Sequence, residues 1–118
     1  MPLDHVALTV ADRERSAAFY AEHFGLTERV HDDPHLLLLG GNDGGLLAMS
    51  EGDPPAAALP RTNHFGFGLG DPGAVRAARE RFAAAGVEEA EWQDDGWIVR
   101  VQVFDPDGYR VELYAFER

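Results

Sequence analysis

Two stretches of this chain alternate apolar and polar residues with the same parity. In LDHVALTV, residues 3 to 10, Leu3, His5, Ala7 and Thr9 fall on one face and Asp4, Val6, Leu8 and Val10 on the other. In NHFGFGLG, residues 63 to 70, His64, Gly66 and Gly68 oppose Phe65, Phe67 and Leu69. Each strand pattern runs into a helix pattern. Asp12 is placed to cap a helix that runs to about residue 24, with Ala17, Phe19, Tyr20 and Phe24 on its apolar side and Gly25 stopping it. Asp71 followed by Pro72 opens a second helix, AVRAARERFAAAG, with Val75, Ala78, Phe82 and Ala85 at helical spacing and Gly86 at its end.

After each helix come further strand-like runs: HLLLLG and GLLAMS in the first half, WIVRVQVF and YRVELYAF in the second. GGNDGG and DPDG supply the turns, since proline presets one turn position and glycine takes the positive φ that closes it. The halves therefore repeat, His5 matching His64 and Asp12 matching Asp71. The expected fold class is α+β: two tandem βαβββ modules, each too small to bury its own sheet face and so paired with the other. Residues 1 to 118 are expected to form a single domain, with module 1 at about 1–52, a proline-rich connector at 53–62 and module 2 at about 63–118.

Composition narrows the function. The 118 residues are 45% hydrophobic, enough for a real core, and the formal net charge is −11. All ten basic residues are arginine, so lysine Schiff-base chemistry and a phosphate-binding P-loop are excluded, and the acidic balance disfavours nucleic acid. Absence of cysteine removes disulfides and thiolate chemistry. No apolar run spans a bilayer and the N-terminus lacks a signal-peptide pattern, so a cytoplasmic protein with no membrane partner is expected.

Where Val6, Leu8, Phe65, Phe67, Val111 and Leu113 face the helices, strand parity puts His5, His64 and Glu112 together on the opposite side. Two neutral imidazoles and one carboxylate are a donor set for a divalent first-row metal that leaves coordination positions open to ligand. His23, His31 and His35 lack a matching partner pattern. Arg100 and Gln102 share one face of WIVRVQVF and are candidates to hold a substrate oxygen, with Trp97, Tyr114 and Phe116 beside an apolar part. Each also has a plainer reading: a solvated arginine on an outer strand, a hairpin tryptophan in the core.

LDHVALTVADRERSAAFYAEHFGL, TNHFGFGL and FDPDGYRVELY together resemble the vicinal oxygen chelate superfamily, which includes glyoxalase I, extradiol dioxygenases and the fosfomycin- and bleomycin-resistance proteins. The resemblance covers essentially the whole chain. It implies that the modules curl into an incomplete barrel around a central metal cavity, in a homodimer. It also implies that His5, His64 and Glu112 ligate a divalent ion (nickel, zinc, manganese or iron), and that a small molecule is chelated there and an anionic intermediate stabilised. Glyoxalase I carries a further glutamate on the last strand of the first module, where this chain has Ala48, so typical glyoxalase I activity is not expected. Fosfomycin transferases usually place threonine two residues after the first histidine and a lysine in a substrate loop; here the first is Ala7 and no lysine exists. The alternative is a non-catalytic protein that sequesters a small molecule or antibiotic, as bleomycin-resistance proteins do. The acidic charge suits it and the histidine and glutamate set does not.

Overall fold

The structure, a computed structural model, describes residues 1 to 117. It falls into two compact units, Met1–Ala58 and the part from Leu59 onward. In the first, strand β1 (His5–Val10) leads into helix α1 (Arg13–Phe24), followed by β2 (Glu28–Asp32), β3 (Leu37–Gly40) and β4 (Leu46–Glu51). The second repeats this order with β5 (Phe65–Gly68), α2 (Pro72–Ala84), β6 (Glu89–Asp94), β7 (Ile98–Phe104) and β8 (Arg110–Phe116). Each unit is a βαβββ module with an open four-stranded sheet, ordered β1-β4-β3-β2 and β5-β8-β7-β6. In both, the first strand runs parallel to the last and the other pairs are antiparallel. A helix therefore crosses between the two edges of each sheet.

The caps explain why the helices begin and end where they do. Asp12 accepts the backbone N–H groups of Glu14 and Arg15, and Asp71 accepts that of Gly73 with Pro72 at the first helical position. Gly25 ends α1 at φ 70°. The second helix closes one residue earlier than its apolar spacing suggests. Ala85 is its C-cap and lies exposed, so Val75, Ala78 and Phe82 alone supply the buried stripe.

That stripe packs on β7 and β8, whose helix-facing residues Val99, Val101, Val103, Val111 and Leu113 are buried. In the first unit Tyr20 and Ala17 of α1 lie buried with Leu47 and Met49 of β4 and Leu37 and Leu39 of β3. Fully burying side chains of this size contributes roughly 1.5–3 kcal/mol each. The opposite face of the second sheet carries the polar residues Arg100, Gln102 and Glu112.

Strands β2 and β6 supply the third strand that each expected βαβββ module requires, at stretches where the sequence pattern marks no run. All five residues of β2 are exposed, and in Glu89–Asp94 only Ala90 and Trp92 are apolar, so neither stands out as a strand-like run. Both nonetheless start three residues after a helix-stopping glycine, Gly25 or Gly86.

Candidate metal and ligand site

The polar face of the second sheet is built in register. Gly66 pairs with Glu112, Glu112 with Gln102, and Gln102 with Glu91, so one row crosses all four strands. The next row holds Gly68, Tyr114, Arg100 and Gln93. The DPDG turn sets this register. Buried Asp105 accepts the N–H groups of Asp107 and Tyr109, and Gly108 takes φ 91° to close the hairpin.

Glycine in β5 makes room for what lies over it. A Cβ on Gly66 would come within 3.0 Å of both the Cβ and the carbonyl oxygen of Glu112, and one on Gly68 within 3.2 Å of the Tyr114 ring. Glu112 is buried, and its two oxygens have different surroundings. Oε1 accepts from Arg100 Nη1 at 3.1 Å and Gln102 Nε2 at 3.2 Å. Oε2 stands 3.8 Å from His64 Nε2.

His64 precedes β5 directly. Its Nδ1 is 2.9 Å from the Thr62 carbonyl oxygen, which can only accept, so Nδ1 carries a proton and Nε2 is the ring nitrogen turned toward Glu112. His5, in the first unit, is engaged the same way: its Nδ1 lies 2.9 Å from Asp4 Oδ1, and its side chain is exposed. The structure thus joins His64 to Glu112 and places His5 on β1, whose polar face it shares with Ala7. Among the described residues no three His, Asp or Glu side chains already form a metal cluster.

A neutral imidazole with its second nitrogen tied to an acceptor and an anionic carboxylate oxygen fit a divalent ion chemically. Their 3.8 Å separation is too long for a hydrogen bond yet within the roughly 4.2 Å reached by two ligands each about 2.1 Å from one ion.

Arg100 is held within the sheet through all three of its guanidinium nitrogens. Besides Glu112 it donates to Gln93 Oε1 at 2.8 Å and to Glu91 Oε1 at 3.0 Å. The hydrogen bond from Arg100 holds the Glu91 carboxyl below its usual range, with the positive charge of Arg61 adding to it. Glu91 is the site residue that the sequence reading missed, and the matching start of β2 and β6 after each helix was the available signal.

Gln102 is 2% exposed, and its Oε1 has no hydrogen-bond partner. Trp97 is 64% exposed in the β6–β7 turn, which excludes it from the core. It packs on Phe116 at 5.6 Å between centroids, and Phe116 on Tyr114 at 5.7 Å. A groove of about 530 Å³ runs past Gly68, Pro72, Tyr114 and Phe116.

The first unit repeats the framework without the chemistry. Its equivalent row is Ala7, Ala48, Leu38 and His31, and a bulge interrupts β2 between Arg29 and His31 as one interrupts β6 between Glu89 and Glu91. Ala48 stands where Glu112 stands in the second unit. The remaining histidines are held elsewhere: His31 contacts Asp33 at 2.7 Å, the His35 N–H is bound by Asp33, and His23 packs on Phe19.

The profile of the Glyoxalase/Bleomycin resistance protein/Dioxygenase superfamily matches residues 2–113, and the chain belongs to this family. Solved structures agree. FosX, the genomically encoded fosfomycin resistance protein of Listeria monocytogenes, superposes with a TM-score of 0.79 at 26% identity, covering 98% of this chain and 93% of that one. The same protein complexed with Mn(II) and sulfate gives 0.81 at 25%, covering 98% and 90%. A possible glyoxalase from Bacillus cereus gives 0.78 at 26%, covering 96% and 97%. A lactoylglutathione lyase from Agrobacterium tumefaciens, at 23% identity and a TM-score of 0.76 over 97% of this chain and 92% of that one, shares the fold. No curated protein sequence matches the chain.

Proposed function

We propose that this protein is a divalent-metal-dependent enzyme of the superfamily, holding its ion on His64 and Glu112 of the second module and taking a small molecule that chelates through oxygen. The observation that carries this is the His64–Glu112 pair, a fixed imidazole nitrogen aimed at a carboxylate oxygen. The Mn(II) complexes of the similar FosX protein support the choice of a first-row dication. When bound, such an ion supplies Lewis acidity to a ligand oxygen and stabilises negative charge developing there.

The chain's own residues have separable tasks in this reading. Thr62 fixes the tautomer of His64, so the ring offers Nε2. Tyr114 and Trp97 line the apolar side of the ligand, with the groove beside Tyr114 receiving its bulk. With Ala48 in the first unit's central position and Glu51 on the other face of the strand, the Ala48 face of β4 carries no carboxylate to move a proton, which argues against glyoxalase I chemistry. A homodimer and a cytoplasmic location belong to the same reading; among the described residues no helix is long and apolar enough to cross a membrane.

The test is metal content of protein purified without an affinity tag, followed by titration of chelator-treated protein with Mn²⁺, Zn²⁺, Ni²⁺ and Fe²⁺. Stoichiometric uptake lost in His64→Ala and Glu112→Gln supports the proposal; protein that neither takes up metal nor is stabilised by it overturns it.

A second reading rests on the exposed ledge of Trp97, Phe116 and Tyr114, which suits capture of a small apolar or cationic molecule without catalysis. Ligand binding that persists unchanged in chelator favours that reading.

A further inference from the structure

We infer that Gln102, with Arg100, is a positioning residue that grips Glu112 by Oε1 and so presents Oε2 alone to the metal. This rests on the metal reading above and assigns to these two side chains a task different from contacting substrate.

The orientation of the Gln102 amide is dictated by its neighbour. Its Nε2 meets Glu112 Oε1 at 3.2 Å, and the reversed amide would set oxygen against oxygen. Keeping that orientation leaves Gln102 Oε1 without a partner in a residue only 2% exposed, which costs stability. An apolar side chain would avoid the cost, as Leu38 does in the equivalent position of the first unit, opposite Ala48 where there is no carboxylate to hold. The glutamine is therefore matched to the glutamate.

Arg100 acts on the same oxygen. A guanidinium 3.1 Å from a metal-binding carboxylate would ordinarily oppose an arriving cation. Here its charge is balanced by Glu91 at 3.0 Å, with Gln93 fixing the third side, so it adds direction with little net positive charge. Glu112 is consequently held at one oxygen by two donors on β7. Its other oxygen faces His64.

The deciding variant is Gln102→Leu, with Gln102→Met as a second in case leucine disturbs the strand. Mn²⁺ affinity of chelator-treated protein is measured by calorimetry, thermal unfolding of the metal-free protein is measured in parallel, and the visible spectrum of the Co²⁺ form reports the ligand set. Outer partners of metal ligands are typically worth about 10–100-fold in affinity. A loss of about tenfold or more, a changed Co²⁺ spectrum and a metal-free Tm equal to or above the parent support the inference. A lowered metal-free Tm with unchanged Mn²⁺ affinity and Co²⁺ spectrum makes Gln102 a structural residue and overturns it. Parent protein that binds no Mn²⁺ overturns the metal reading and this inference together, whereas parent that binds and variants that bind equally well overturn this inference alone.

Discussion

His64 Nε2 faces Glu112 Oε2 across 3.8 Å, while the other nitrogen of the ring is tied to the Thr62 carbonyl. Two groups of complementary chemistry are thus brought close by adjacent strands of one sheet, His64 just before β5 and Glu112 in the middle of β8, with the Nδ1 proton leaving Nε2 as the nitrogen for a metal.

Removing either partner should lower Mn²⁺ affinity by at least about tenfold. Because both act on one ion, the double variant His64→Ala/Glu112→Gln should lose far less than the two single losses combined. Calorimetry on the three variants checks this; fully additive losses would mean that the residues do not share a ligand.

Metal should also stabilise the fold. At about 100 times its dissociation constant, an ion bound only by the folded state adds about 2.7 kcal/mol, which raises the Tm of a domain of this size by several degrees. Thermal unfolding with and without Mn²⁺ measures it, and Glu112→Gln should abolish the rise.

Gly66→Ala tests the crowding over β5. The added methyl meets the backbone of Glu112, which cannot swing aside as a flexible side chain would, so a loss of about 1–3 kcal/mol is expected from urea unfolding. Alanine at Gly45, whose nearest neighbour is a loop aspartate at 3.5 Å, should be close to neutral.

Acid should weaken the protein before it touches the core. Asp33 is lowered to about 2 by hydrogen bonds from His31 and from the backbone of His35 and Leu36. Glu91 is lowered by Arg100, Asp94 by Arg76, and Asp95 by the N–H of Ile98. A carboxylate held below its unfolded value stabilises the fold above that value and ceases to as pH falls through the folded one. Urea midpoints should therefore be level near neutrality and decline from about pH 4 downward. Asp33→Asn should flatten part of that decline.

Much of this arrangement was legible in the chain itself, for identifiable reasons. Asp12, Gly25, Asp71 and Pro72 are local signals whose geometry does not depend on distant contacts, and the helices they bound are found where expected. Parity placed Glu112 opposite Val111 and Leu113 because the apolar side of β8 is strongly buried. What escaped were the outermost strands. A strand with little buried side chain gives only a short, weak pattern, and with β6 unassigned the link from Glu91 through Arg100 to Glu112 was invisible, since it exists only through cross-strand pairing. The core reading of Trp97 fails for the opposite reason, a large apolar residue left in solvent by a turn whose backbone N–H groups at Trp97 and Ile98 donate to Asp95.

The parallel pairing of β5 with β8 also has a consequence for biosynthesis. Strand β5 lies at the sheet edge and among the described residues pairs with β8, so residue 65 emerges from the ribosome long before residue 111 exists to receive it. Non-local pairing of this kind forms late. His64 and Glu112 therefore meet only once β6, β7 and β8 have been made, so an ion held by this pair, as proposed above, would be taken up after synthesis of the second sheet.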